Sequence, residues 1–140
     1  MESDFGLSLK LPKIPNIELV ALEGLERMGR YLGITNEKLG EARIVVNEAI
    51  INGFEHSGME NSYVNIEFMM TKEKLTVLVT DFGKGFDPEK IEVPEITKKI
   101  DGGGNSKRGW GIKLMKSLSD DLTIESGPTG TRITIIKNLT

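Results

Sequence analysis

The chain has 140 residues, of which 38% are hydrophobic and 28% charged, so we expect one ordinary globular domain and no extensive disorder. The net charge is −3 with no basic stripe, which argues against direct nucleic-acid binding, and the lack of cysteine excludes disulfides and thiolate metal sites. The sequence shows neither a signal peptide nor an apolar run near the ~20 residues of a membrane helix, so we expect a cytoplasmic protein without membrane association.

The N-terminal third predicts one strand and two helices. Alternation of apolar and polar residues over Leu7–Leu11 is typical of a half-buried strand. Asn16 is the expected N-cap of a helix whose apolar stripe recurs every three or four residues as far as Leu32, with Gly33 as its C-cap. A second helix is expected over residues 37–56, with an apolar packing face and a separate polar stripe.

The remainder predicts mainly strands. The segments Tyr63–Met70 and Leu75–Thr80 read as a hairpin. The segment from 87 to 107 has no clear periodicity, and so long a loop in a compact domain is typical of a functional lid. A short apolar helix is expected after Gly111. Two last strands close the chain, Leu122–Glu125 and Thr131–Lys137.

The predicted order of elements indicates a fold class. Hairpin-connected strands with a minority of helices predict an α+β two-layer sandwich, in which helices cover one face of a mixed, mostly antiparallel sheet. No internal repeat is visible, so residues 1–140 are expected to form a single domain.

Glu48 and Asn52 are the first candidate site residues. They lie four residues apart on the predicted second helix, so their side chains share one face. A carboxylate can accept a proton, and a carboxamide oxygen is a hard ligand suited to Mg²⁺. The pair could activate a hydroxyl beside metal-bound phosphates, although a solvated polar face would show the same spacing.

Asp81 and two following glycines form a second candidate. Asp81 ends a predicted strand, and Gly83 and Gly85 would let the backbone approach a flat ligand closely. A buried aspartate there could accept a hydrogen bond from an exocyclic amine such as that of adenine. The alternative is a tight turn whose aspartate merely caps it.

Gly109 and Gly111 form a third candidate. Glycines at the start of a helix expose N–H groups at its positive end, where a phosphate binds, and Lys107 and Arg108 could add charge. The spacing matches neither a Walker A loop nor a dinucleotide-binding fingerprint. Alone, this glycine pair is weak evidence.

Taken in order, these segments resemble the GHKL-type ATPases, which have the Bergerat nucleotide-binding fold. The segment 46–56 looks like the N box, 81–87 like the first glycine box, and 108–114 like the second. The segment 130–135 is similar to the closing strand. Within the superfamily, the chain looks most like the bacterial anti-sigma-factor serine/threonine kinases.

The resemblance implies a role for each candidate residue. Glu48 would be the general base and Asn52 the Mg²⁺ ligand. Asp81 would bind the adenine amine with support from Thr131. The remaining contacts with ATP, under a lid formed by residues 87–108, would come from Gly83, Gly85, Lys107, Arg108, Gly109 and Gly111.

The resemblance also implies partners. The phosphate acceptor would be a Ser or Thr of a small antagonist protein of the STAS type, the second partner an RNA polymerase sigma factor, and the kinase itself a homodimer. Two alternatives stay open. One is a non-catalytic, ATP-gated binding module. The other is the ATPase domain of a histidine kinase, which is disfavoured because only about six residues precede the first predicted strand, too few for an acceptor hairpin.

Overall fold

The computed structural model describes residues 5–57, 63–82 and 105–140, with only the backbone described at 56–57 and 105–109. Along these residues the elements follow one another as β1 (Phe5–Pro12), α1 (Glu18–Leu32), α2 (Asn36–Ser57), β2 (Tyr63–Met70), β3 (Lys74–Asp81), α3 (Asn105–Leu118), β4 (Asp121–Gly127) and β5 (Gly130–Asn138). Each predicted strand lies within an observed one, and the predicted second helix differs from α2 by one residue at each end. No helix in these stretches is long and apolar enough to cross a lipid bilayer.

The five strands form one sheet in the order β1-β2-β3-β5-β4. Every pairing along the described strands is antiparallel, where the prediction allowed for a mixed sheet. β3 and β5 are neighbours although α3 and β4 separate them in the chain, and their register places Asp81 opposite Thr131. The predicted α+β sandwich is confirmed.

The core lies between one face of this sheet and the helices. Inward residues alternate along β2 with half-buried or exposed ones, because successive side chains of a strand point to opposite faces. The described helices bring their apolar sides to the same face, as the prediction required. The buried core includes Leu25, Val45, Ile50, Val64, Ile66, Phe68, Val77, Val79, Met115, Ile133 and Ile135.

The start of α1 differs from the prediction. Its N-cap is Ile17, and no side chain caps it by a hydrogen bond. Asn16 adopts a left-handed conformation with φ of 63°, which asparagine tolerates better than most residues. Asn16 therefore makes the turn before the helix, and its predicted capping role was wrong. Gly33 does end the helix in the left-handed conformation, and its N–H bonds the oxygens of Arg30 and Gly29.

The start of α3 also differs. The helix begins at Asn105, so Gly111 lies inside it and not before its first turn. A glycine within a helix costs only about 1 kcal/mol relative to alanine, which packing against a neighbouring element can offset. The predicted lid over 87–108 overlaps the first residues of α3 at its C-terminal end. Its remaining residues up to 104, like Gly83 and Gly85, lie outside the described residues.

Candidate functional site

Glu48 and Asn52 face α3 across a small pocket. The pocket has a volume of about 140 Å³. Residues of α2 and α3 line it with carboxylate, amide and apolar groups. They are Glu48, Ile51, Asn52, Glu55, Trp110, Gly111 and Leu114. The structure thus brings the predicted carboxylate and carboxamide together with one glycine of the predicted phosphate-binding pair.

Asn52 carries an unusual polar atom. The residue is 4% exposed, and its Oδ1 has no hydrogen-bond partner in the described parts of the chain. Leaving a buried acceptor unpaired costs roughly 1–3 kcal/mol, so such an atom is a marker for a ligand. An amide oxygen is a ligand type that Mg²⁺ accepts.

A cation at Asn52 would need most of its ligands from elsewhere. Among the described residues, no group of three or more acidic or histidine side chains is placed to hold a metal ion. Mg²⁺ commonly keeps several water molecules and binds nucleotide phosphates with only one or two protein ligands. A single buried amide oxygen beside a pocket fits that mode of binding.

Gly111 allows α3 to lie close to Glu48 of α2 at the site. A Cβ at this position would lie 2.7 Å from the Glu48 Oε2 atom, well inside normal contact. Only glycine therefore lets α3 approach while Glu48 keeps its position. The phosphate contact predicted for Gly111 stays a prediction, and in the structure its missing side chain makes room for the Glu48 carboxylate.

Asp81 and Thr131 form a second cluster at the ends of β3 and β5. Each is 2% exposed, and they occupy opposite positions in the register of the two strands. The hydroxyl of Ser126 lies 2.8 Å from that of Thr131, within hydrogen-bonding distance. The register therefore places Asp81 beside Thr131, and the adenine-binding role that the resemblance implies for the two residues stays a prediction.

Two glycines allow close approaches around Asp81. Gly130 has φ of 143°, and a Cβ there would overlap the backbone oxygen of Asp81. Gly53 follows Asn52 on α2, and a Cβ there would lie 3.1 Å from Val64 Cγ2. Because Val64 pairs with Asp81 in the sheet, Gly53 lets the Asn52 region of the helix approach this end of β3.

In the described part of the structure, the candidate residues do not all line the same pocket. Asp81 and Thr131 do not line the pocket of Glu48 and Asn52. Gly83 and Gly85 lie outside the described residues. The backbone of the first turns of α3 includes Lys107, Arg108 and Gly109, whose predicted phosphate contacts stay predictions.

Several residues of the site were not predicted from the sequence. Ile51 and Leu114 give the pocket its apolar lining together with Trp110, whose ring carries the Lys113 ammonium 4.8 Å from its centroid. A spacing of three residues, from Glu48 to Ile51 and from Gly111 to Leu114, could have indicated both. No local signal could have indicated Ser126, because its role depends on the β4–β5 register.

Comparison with known proteins identifies the family. The sequence profile of the histidine kinase-like ATPase domain matches residues 16–137. The chain belongs to this family. This ATPase domain is also similar to proteins named serine-protein kinase RsbW. The one from Staphylococcus aureus is 31% identical, covering 91% of this chain and 84% of that protein. The one from Oceanobacillus iheyensis is 27% identical, covering 86% and 78%.

Solved structures support the same fold. A crystal structure of the RsbU and RsbW domains of a Mycobacterium tuberculosis protein matches with a TM-score of 0.69 at 15% identity. The match covers 96% of this ATPase domain but 32% of that longer chain. A blue-light activated histidine kinase of Erythrobacter litoralis matches with a TM-score of 0.55 at 23% identity over 76% of this chain and 32% of that one.

Proposed function

We propose that this protein is an ATP-dependent serine/threonine protein kinase of the anti-sigma-factor type, which transfers the γ-phosphate of ATP to a Ser or Thr of an antagonist protein. The observation that carries the proposal is the placement of Glu48 one helical turn from Asn52, whose buried Oδ1 has no partner in the described part of the chain. Both residues line a pocket that Gly111 also lines. The similarity to serine-protein kinases over most of the chain supports the same reaction.

Glu48 is the proposed general base. Its carboxylate takes the proton of the acceptor hydroxyl as the oxygen attacks the γ-phosphorus, and the bond to the ADP oxygen breaks. Asn52 is the proposed Mg²⁺ ligand, since its residue lines the same pocket and its Oδ1 has no hydrogen-bond partner among the described residues. When bound, Mg²⁺ neutralises charge that develops on the phosphate oxygens.

Asp81 is the proposed recognition group for adenine. Its buried carboxylate accepts a hydrogen bond from the exocyclic amine, and Thr131 supports it directly or through water. The contact between Ser126 and Thr131 fixes the hydroxyl that would give this support. The remaining proposed contacts with ATP come from Gly83, Gly85, Lys107, Arg108, Gly109 and Gly111, beneath the lid proposed for residues 87–108.

The proposed partners follow from the resemblance to anti-sigma-factor kinases. The acceptor is a STAS-type antagonist protein, and the protein held inactive is an RNA polymerase sigma factor. The proposed active form is a homodimer in the cytoplasm. Phosphorylation of the antagonist would prevent it from displacing the sigma factor, because a phosphate adds negative charge to the contact surface.

The test is transfer of labelled phosphate from ATP to a purified STAS-type antagonist in the presence of Mg²⁺. Glu48→Gln keeps the shape of the side chain but removes the base, so phosphotransfer should fall by about 10²–10⁴-fold while ATP binding by calorimetry stays near that of the wild type. Glu37→Gln, at the exposed start of the same helix, is the matched control and should transfer phosphate normally.

The same assay separates the proposal from its alternatives. Transfer by Glu48→Gln at the wild-type rate would rule out the assigned base. A wild-type protein that binds ATP and the antagonist without transferring phosphate would be the non-catalytic binding module.

A further inference from the structure

A buried lysine lies at the end of β5, away from the pocket. The side chain of Lys137 is 4% exposed. Its Nζ donates hydrogen bonds to Glu41 Oε1 on α2, at 2.7 Å, and to the backbone oxygen of Leu118 at the end of α3, at 2.6 Å. Burial of an ammonium group is costly unless it is paired, and here two acceptors on two helices satisfy it.

Each of the two contacts has a physical reason. Leu118 is the last residue of α3, where the final carbonyl oxygens have no partner within the helix and a cation is favoured. The Glu41 carboxylate supplies the opposite charge, and its hydrogen bond from Lys137 holds the pKa of that carboxyl below its usual value. Lys137 therefore joins the sheet to both helices that carry the candidate site.

The contacts of Lys137 lie two helical turns from the pocket. Glu41 lies seven residues before Glu48 on α2, and Leu118 lies seven residues after Gly111 on α3. The helices are therefore antiparallel, and both separations are two turns, or about 10 Å along each axis. Lys137 joins the helices at one level, and Glu48 meets Gly111 two turns away.

We propose that Lys137 is a positioning residue, which fixes α3 against α2 and thereby holds Gly111 and Trp110 in place beside Glu48 and Asn52. Loss of the ammonium group would remove this link between the end of α3 and α2, so that α3 shifts or tilts at the site. Displacement of a reacting group by about 1 Å can cost on the order of 10²-fold in rate. The effect on rate rests on the proposed kinase function, but the effect on helix position does not.

The chain contains its own reporter of this position. Trp110 is the single tryptophan of the sequence, and it lines the pocket from α3. Lys137→Met replaces the ammonium group with an uncharged chain of similar length. We expect a red-shifted emission and stronger acrylamide quenching of Trp110 in this variant, at a temperature where far-ultraviolet circular dichroism is unchanged.

Lys38→Met is the matched control. Lys38 approaches the same Glu41 oxygen at 3.9 Å, but from within α2, so its loss removes a charge near Glu41 without releasing α3. This control should leave Trp110 fluorescence as in the wild type. Glu41→Gln is a second test variant, which weakens the α2 side of the contact at a partly exposed position and should fold even where Lys137→Met does not.

In phosphotransfer assays, Lys137→Met should lower kcat by about 10–10²-fold while the KM for ATP changes much less, because adenine recognition at Asp81 is not displaced. The proposal is overturned if Trp110 fluorescence is unchanged in both Lys137→Met and Glu41→Gln, or if Lys38→Met changes it equally. If the wild type transfers no phosphate, the proposed function fails, and the fluorescence comparison still decides the role of Lys137.

Discussion

Gly130 lets the β4–β5 turn lie directly against the end of β3. Its φ is 143°, and an added Cβ would overlap the backbone oxygen of Asp81, so a side chain there is disfavoured twice. We expect Gly130→Ala to lower the free energy of unfolding by roughly 1–3 kcal/mol or more, as judged by urea denaturation. Because Asp81 must move with its backbone, ATP binding by calorimetry should weaken as well.

Gly127 provides the control for that variant. It pairs with Gly130 across the same turn, but a Cβ there meets nothing within 4 Å. Gly127→Ala should therefore change the free energy of unfolding by no more than about 1 kcal/mol and leave ATP affinity intact. Similar effects of the two substitutions would show that the approach to Asp81 is not what selects glycine at 130.

At the scale of single residues, the sequence predicted which side chains share one face of a helix. It missed contacts between residues that are far apart in the chain. The spacing of Glu48 and Asn52 is enough to place both on one face of a helix, and the structure has them lining one pocket. Lys137 occupies an inward position of β5 that alternation assigns to an apolar residue, and its partner Glu41 is 96 residues away. No local pattern predicts such a pairing.

At the scale of elements, the position of the Glu48 carboxylate between α2 and α3 depends on the missing side chain of Gly111. An added methyl group would meet the end of the flexible Glu48 side chain and not backbone, so the carboxylate would move and the fold would persist. We expect Gly111→Ala to remain folded but to lose phosphotransfer, toward the roughly 10²–10⁴-fold effect of losing a general base. The measurement is the rate of phosphate transfer at saturating ATP.

Gly40→Ala separates this effect from helix propensity. Gly40 also lies within α2, but a Cβ there has open space around it. Alanine should raise the free energy of unfolding by about 0.5–1 kcal/mol in that position without altering transfer. Normal transfer by Gly111→Ala would contradict the role assigned to the contact with Glu48.

The boundary of α3 was the least predictable part of the elements. Its first turns contain two glycines and a run of polar residues, which on propensity alone favour a loop. Contact with α2 is what allows a helix to include Gly111, and that contact is a tertiary property. The strands were easier, because each has an alternating pattern that matches the sheet face it covers.

At the scale of the whole molecule, the proposed ATP site draws on α2, α3, β3 and β5, so a bound nucleotide should stabilise the entire fold. A ligand that binds only the folded state at a hundredfold excess over its Kd adds about 2.7 kcal/mol. For a chain of this length that is a rise in Tm on the order of 10 °C. ATP with Mg²⁺ should give this shift in a thermal melt, and ATP with a chelator should give less.

Asn52→Ala tests which part of that stabilisation depends on the metal. Because the Asn52 oxygen has no partner in the described residues, its removal should change the Tm of the ligand-free protein little, yet abolish most of the Mg²⁺-dependent shift. Asn65→Ala, on β2 at a position that alternates with the buried residues, controls for loss of an amide and should keep the full shift. A full Mg²⁺-dependent shift in Asn52→Ala would show that the metal does not bind this oxygen. The pocket would then have to bind phosphates through α3 alone.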